Sequence, residues 1–238
     1  LYKQETNPLV SVIVPTKDRI DLLVPCIESI LTKTDYPNFE LVIVDNNSEL
    51  DETHEYLNSI KDSRVQVMID RKPFNHSRIM NEVVERCGHE YITFLNNDIE
   101  VISNEWLDML MSDAMRPDVG CVGAKLFYPD MNIQHAGVIL GLRGVAGHVK
   151  KCNDGFIRYD CKQFYSAVTG ACMTLRKSIF ESVGGFNDKK LPTHFNDIDL
   201  CLKLGKKNYK IVYNPRAVLI HHESASRGNP TEMKNWKE

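Results

Sequence analysis

Short apolar runs, each followed by a helical pattern, fill the first hundred residues of the chain, and this rhythm leaves few folds open. Val10–Pro15 (VSVIVP) is apolar and β-branched at almost every position, as a strand covered on both faces must be. Behind it, Asp21–Leu31 sets Leu23, Ile27, Ile30 and Leu31 at i, i+4, i+7 and i+8, one face of a helix. The pattern repeats three times. Glu40–Asp45 (ELVIVD), Val65–Ile69 and Tyr91–Leu95 (YITFL) read as strands, followed by helices over Asp51–Lys61, Ser77–Arg86 and Asn104–Met115. Buried strands alternating with crossover helices predict an α/β fold, a mostly parallel sheet with helices on both faces.

Beyond that point the rhythm breaks. Val119–Phe127 reads as a strand, but Asp130–Tyr165 is rich in glycine and carries no clear period. Val168–Leu175 reads as a strand, and a helix over Lys177–Val183 is stopped by Gly184-Gly185. A helix over Asp197–Lys207 and strands at Lys210–Tyr213 and Ala217–His221 complete the pattern. No linker separates the halves. Residues 1–228 are therefore expected to form one domain, with a nucleotide-type half over 9–100, a smaller irregular half over 101–228, and a polar tail at 229–238.

Charge and composition exclude several classes of function. Among 238 residues, 29 basic and 32 acidic side chains are well mixed, so no basic block marks a nucleic-acid or membrane surface. Apolar runs reach about six residues, against the ~20 of a spanning helix. Seven cysteines without CxxC or CxxH spacing fit neither a disulfide framework nor a structural zinc site. A cytoplasmic setting is the simplest, with a peripheral place at the inner face of the membrane compatible with it. The chain opens at Leu1 without a signal-peptide pattern, which fits a domain cut from something longer.

Ligands of open parallel sheets bind beyond the carboxyl ends of the strands. Three polar clusters fall there: Pro15, Thr16, Lys17, Asp18 and Arg19; Asp45, Asn46, Asn47 and Ser48; and Asn96, Asn97 and Asp98. Turn residues are common at any strand end, but three such clusters, each with a carboxylate, point toward a site. Neither GxGxxG nor GxxxxGK[ST] follows the first strand, and no GxSxG elbow is present. A nucleotide diphosphate here would lack a glycine cradle, and a metal ion is the obvious substitute for neutralising it.

The succession VSVIVPTKDR, ELVIVDNNS, FNHSRIMN and YITFLNNDIEV resembles glycosyltransferase family 2, inverting enzymes of the Rossmann-like GT-A fold. The second half agrees, with TGACMTLRKSIFESVGGFND, FNDIDLCLKL and NPRAVLIHHESASRG in family order. The resemblance runs from about Leu9 to Gly228 and is nearest to bacterial members that build surface polysaccharides or glycosylate proteins. It implies transfer of a sugar from a UDP- or dTDP-sugar to a glycan, glycolipid or glycoprotein hydroxyl.

The resemblance also implies roles. Pro15, Thr16 and Arg19 would line the base and ribose, with Asn47, Asn96 and Asn97 on the same rim. Asp45 would accept from the imide N–H of the base, or else cap the turn that follows it. Asn75, Ser77 and Asn81 resemble a segment facing the nucleotide; Arg78 either approaches the diphosphate or is a solvated helix residue. The family's Asp-x-Asp metal motif reads Asn96-Asn97-Asp98 here, so its first carboxylate is replaced. Asp98 is then the main ligand of Mn²⁺ or Mg²⁺, and His221 resembles the second. His222 remains the alternative, since neighbours on a strand face opposite ways.

Asp197 matches the catalytic carboxylate, while the residues alone also fit Asn196 as an N-cap with acids in the first turn of a helix. Asp199 is the structural acid in this reading. Thr169, Gly170 and Ala171 would lie under the acceptor. Two rivals stand beside this reading: a nucleotidyltransferase, whose triphosphate-gripping glycine loop PTKDR lacks, and a transferase-like binding module without catalysis. Homo-oligomerisation, and a lid or interface role for Gly141–Tyr159, stay open.

Overall fold

The computed structural model describes residues 6–141, 146–148 and 157–222. Four parallel strands form its regular part, in the order β3 (Val65–Ile69), β2 (Phe39–Asp45), β1 (Val10–Thr16) and β4 (Tyr91–Leu95). Their apolar runs are explained by two cores, one on each face. Val10, Val12 and Val14 of β1 point into one core with Leu41 and Ile43, while Ile13, Val42 and Val44 point into the other. Helices α1 (Ile20–Lys33), α2 (Asp51–Ser59) and α4 (Trp106–Ala114) cover the first face; α3 (His76–Arg86), α5 (Lys177–Ser182) and α6 (Asn196–Lys206) cover the second. Each fully buried aliphatic or aromatic side chain contributes about 1.5–3 kcal/mol to this packing. Trp106 is fully buried and still satisfies its indole N–H, which donates to Thr34 Oγ1 at 2.9 Å.

The sheet continues past β4 without a break. Strand β11 (Cys172–Arg176) pairs antiparallel with β4 and with β6 (Val119–Phe127); β12 (Lys210–His221) runs parallel to β6, and β10 (Gln163–Tyr165) closes the edge. The sheet is thus parallel across its first four strands and mixed beyond them. Two short strands lie off the main path: β5 (Ile99–Val101) pairs with β12, and β7 (Ile133–His135) with β6. A separate hairpin joins β8 (Val138–Leu140) to β9 (Ala146–His148). Among the described residues no helix is long and apolar enough to cross a membrane.

Three local expectations need correction. The strand expected over Val168–Leu175 begins only at Cys172, because the backbone before it is committed elsewhere: Gly170 N donates to Asp197 and Ala171 N to Thr169 Oγ1. The strands expected at Lys210–Tyr213 and Ala217–His221 are one, and the register shift between Asn214 and Val218 absorbs Pro215. Asparagine 196 is the first residue of α6 and not its cap; that position belongs to Phe195. Gly184 (φ 78°) and Gly185 (φ 60°) end α5 in the left-handed region, as glycines can do without a Cβ penalty. The polar tail and most of Gly141–Tyr159 lie outside the described residues.

Candidate functional site

Strand register brings the polar clusters to one rim. Thr16 pairs with Asp45 and Asp45 with Ile69, so β1, β2 and β3 end level. Cys172 pairs with Leu95, which sets residues 169–171 beside 96–98, and His221 pairs with Ile99 at the end of β12. The chain therefore reaches this rim from both halves.

Asp98 and His221 meet there. His221 Nε2 lies 3.1 Å from Asp98 Oδ1, and both side chains are below a tenth exposed. Asn96 Nδ2 sits 3.3 Å from the same ring nitrogen. On the other side of the ring, His221 Nδ1 is 2.6 Å from Gln134 Oε1. His222 points elsewhere: its Nε2 lies 3.4 Å from Glu100 Oε2, while its backbone N–H donates to Asp98 O. One carboxylate oxygen facing one imidazole nitrogen is a donor set suited to Mn²⁺ or Mg²⁺. Among the described residues no larger cluster of His, Cys, Asp or Glu side chains is arranged for a metal.

Asp197 stands at the start of α6, tied to the same rim. Its Oδ2 accepts from Gly170 N at 2.9 Å and its Oδ1 from Ile198 N at 2.8 Å, leaving a second lone pair on each oxygen. A Cβ on Gly170 would lie 3.3 Å from Asp197 Cβ, so glycine is what permits the approach. The next residue completes a bridge, because Ala171 O accepts from Asn96 N at 3.1 Å. Asp197, Gly170, Ala171, Asn96 and His221 thus form one connected line. The exposed Phe195 before the helix holds φ 58°, an uncommon state for a bulky residue. Asp199 is paired with Lys203 at 2.7 Å, one turn along the helix.

The donor-side candidates divide into two groups. Asn97 Nδ2 donates to Thr16 Oγ1 at 3.1 Å, joining the first and third clusters, and Pro15 is half-buried beside them. Asn47 is exposed on the same rim with φ 60°. Arg19, also left-handed at φ 51°, makes a forked contact with Asp21, whose hydrogen bonds hold it above the ordinary arginine value; the Asp98 charge adds to this. Asp45 is 2% exposed and caps its own turn, accepting from Ser48 N at 2.9 Å.

The second group is engaged with the 186–191 segment and with the start of α6. Asn75 Nδ2 donates to Asp188 O, Ser77 Oγ to Leu191 O, and Asn81 Nδ2 to Phe186 O. These three fasten the 186–191 segment onto α3, and Ser77 Oγ also accepts from Asn196 Nδ2 at 3.0 Å, beside Asp197. Arg78 is neither solvated nor free: it is 2.7 Å from Asp70 Oδ2 and 3.2 Å from Glu82 Oε2, with a side chain only 16% exposed.

Two residues of the site escaped the sequence reading. Gln134 holds His221, and the fully buried His135 accepts from Thr169 N with Nε2 at 3.5 Å. Burial first, then the neighbouring His148 and His221, keep His135 well below the ordinary histidine value, so it is neutral. Both belong to a three-residue strand inside an aperiodic stretch. The one available signal was a pair of hydrogen-bonding side chains, Gln134-His135, immediately before the apolar residues 136–140.

Comparison with known proteins follows the same lines. A sequence model described as Glycosyl transferase family 2 matches residues 11–184. The chain is 48% identical over 236 residues to protein y4gI of Sinorhizobium fredii, covering 96% of this chain and 26% of that one. It is 41% identical over 232 residues to the O-antigen biosynthesis protein RfbC of Myxococcus xanthus, covering 95% of this chain and 18% of that one. The chain therefore spans about a quarter or less of these relatives' length. A crystal structure of GalNAc-T7 with UDP, GalNAc and Mn²⁺ superposes with a TM-score of 0.75 at 14% identity, over 92% of this chain and 44% of that one, a likeness of fold. With the family match spanning residues 11–184 of 238, the chain belongs to glycosyl transferase family 2.

Proposed function

We propose that residues 1–228 form one catalytic domain that moves a sugar, with inversion, from a UDP- or dTDP-sugar to a hydroxyl of a glycan, glycolipid or glycoprotein. The observation that carries the reading is the 3.1 Å contact between Asp98 and His221 on the rim to which Asp197 is tied through Gly170 and Ala171. Thr16, Asn97, Asn47 and Arg19 form the wall against which the nucleoside rests. Asp45 shapes the 46–48 turn and offers its remaining lone pairs to the base edge.

Asp197 acts as the general base. Two backbone N–H groups fix its carboxylate, and an acceptor hydroxyl beside it loses its proton as the oxygen attacks the anomeric carbon. Attack comes from the face opposite the diphosphate, so one displacement inverts the configuration. A divalent ion, Mn²⁺ or Mg²⁺, held by Asp98 and His221 would supply positive charge against the departing diphosphate. Asn96, in place of a first carboxylate, donates toward the His221 ring and keeps the site less negative. The relative named for O-antigen biosynthesis supports a surface-polysaccharide acceptor, and the GalNAc-T7 complex supports the pairing of UDP with Mn²⁺.

The absent first carboxylate gives the binding-module alternative its one specific support. Incubation of the protein with a panel of UDP- and dTDP-sugars and Mn²⁺, without acceptor, separates the two. Slow, chelator-sensitive release of UDP or dTDP from at least one donor is expected. No release across the panel would favour the binding module.

A further inference from the structure

Strand β7 carries an extra residue where it meets the site. Leu126 pairs with His135 and Phe127 with Ile133, so Gln134 is the bulged position, and bulges re-aim side chains beside functional sites. Gln134 is 7% exposed and grips His221 twice, through the backbone and through the ring. We propose that Gln134 is a positioning residue that fixes the tautomer of His221 and thereby presents its Nε2 lone pair, beside Asp98, to a divalent cation. The inference rests on the metal site proposed above.

The geometry favours a hydrogen on Nδ1. Gln134 Nε2 lies 3.4 Å from His221 O, and a carbonyl only accepts, so the amide group is oriented with its N–H toward that carbonyl. Its Oε1 then faces His221 Nδ1 at 2.6 Å, and because Oε1 only accepts, Nδ1 must carry the hydrogen. A ring that takes up a cation carries one hydrogen, and with that hydrogen on Nδ1 the lone pair is on Nε2. That lone pair lies 3.1 Å from Asp98 Oδ1 and 3.3 Å from the Asn96 amide nitrogen. Two such acceptors on one side of a ring are suited to share a cation. Without Gln134 the ring is free to place its hydrogen on Nε2, which closes the ligand position. Partners that orient a ligating histidine in this way typically change metal affinity by ~10–100-fold when removed.

Gln134→Met, similar in length and without the amide, and Gln134→Glu, which keeps an acceptor for the Nδ1 hydrogen, test the proposal with two readouts. The first is the ¹⁵N NMR signature of the His221 ring in metal-free protein at mildly alkaline pH. The second is Mn²⁺ affinity in the presence of UDP, followed by electron paramagnetic resonance. Expected are an Nδ1–H signature in wild type and in the Glu variant, its loss in the Met variant, and Mn²⁺ affinity ~10–100-fold weaker in the Met variant alone. An unchanged signature in the Met variant, or unchanged Mn²⁺ affinity despite a changed signature, overturns the inference. Equal losses in both variants assign Gln134 to packing and overturn it too. A wild type with the Nδ1–H signature that takes up no Mn²⁺ with UDP refutes the metal reading itself, and the metal-free arm tells that failure apart.

Discussion

In the first half β1, β2 and β3 end level, with Thr16 beside Asp45 and Asp45 beside Ile69, and the turns that follow these strands fall on the rim. Beyond Val101 nothing arrives so directly: His221 comes at the end of a 12-residue strand, Gln134 on a bulge, and Asp197 from a helix start reached through Gly170. The polar side chains of the first half mostly tie neighbouring turns of the rim together, as Asn46 does in bonding Asp70 and Lys72 and Asn97 in bonding Thr16, while Asp45 caps its own turn at Ser48. Those of the second half converge on one another from positions far apart in sequence. A regular βα half gives a wall with a defined height, and an irregular half with long-range pairing gives the reactive groups their directions. Asp98, in the turn after β4 and beside the last residue of β12, is where the two meet.

Substitutions on either side should separate these roles. Asp197→Asn removes the base from the second half while keeping its size and an acceptor for one of its two backbone N–H donors, and turnover is expected to fall by ~10²–10⁴-fold with UDP affinity within twofold of wild type. Steady-state transfer with calorimetry on the same sample reads both, and retained turnover would take Asp197 out of the mechanism. In the first half, Arg78→Ala breaks a largely buried pair with Asp70 and is expected to cost about 1–3 kcal/mol of stability, less than a fully buried pair, without weakening UDP. A clear loss of UDP affinity would return Arg78 to the diphosphate.

The same pair carries a pH dependence. Burial pushes the Asp70 carboxyl up, but hydrogen bonds from Arg78 and from Lys72 N, with the Arg78 charge, pull it below the ordinary carboxylate value. A lowered folded-state value means the pair's contribution is fully present above the unfolded value of about 3.9 and is lost as pH falls through the folded one. The stability gap between wild type and Arg78→Ala, read by urea melts, should therefore be constant near neutrality and close in acid. The smallest effect belongs to the contact between Asp197 and its support. Gly170→Ala places a methyl 3.3 Å from Asp197 Cβ, and a displacement of a few tenths of an ångström should slow transfer by less than about tenfold. A full loss of turnover there would mean that the 169–171 segment touches the reacting groups itself.

How legible each region was follows from the same contrast. Val65–Ile69, Tyr91–Leu95 and Val119–Phe127 could be read to the residue: the last two are buried on both faces and mostly apolar, and Val65–Ile69, though an exposed edge strand, is a short β-branched run at the expected place in the βα rhythm. Ile99–Val101 was invisible as a strand, since three residues carry no period and the pairing that defines them lies with Leu219–His221. Asp98, Asp197 and His221 were named through family resemblance; their mutual placement depends on strand register, which no local pattern encodes. For Asn75, Ser77 and Asn81 the converse holds. Family resemblance names them for a ligand, while the partners they have in the fold, the carbonyls of Asp188, Leu191 and Phe186, lie more than a hundred residues away and carry no local signal.

Calorimetric titration of UDP with and without Mn²⁺, on wild type and on Asp98→Ala, bears most directly on the place where the halves meet. Wild type should bind UDP at least ~10-fold tighter when Mn²⁺ is present, and Asp98→Ala should show one affinity in both conditions. A wild type indifferent to the ion, or an Asp98→Ala protein that still responds to it as wild type does, would contradict a cation held by Asp98 and His221.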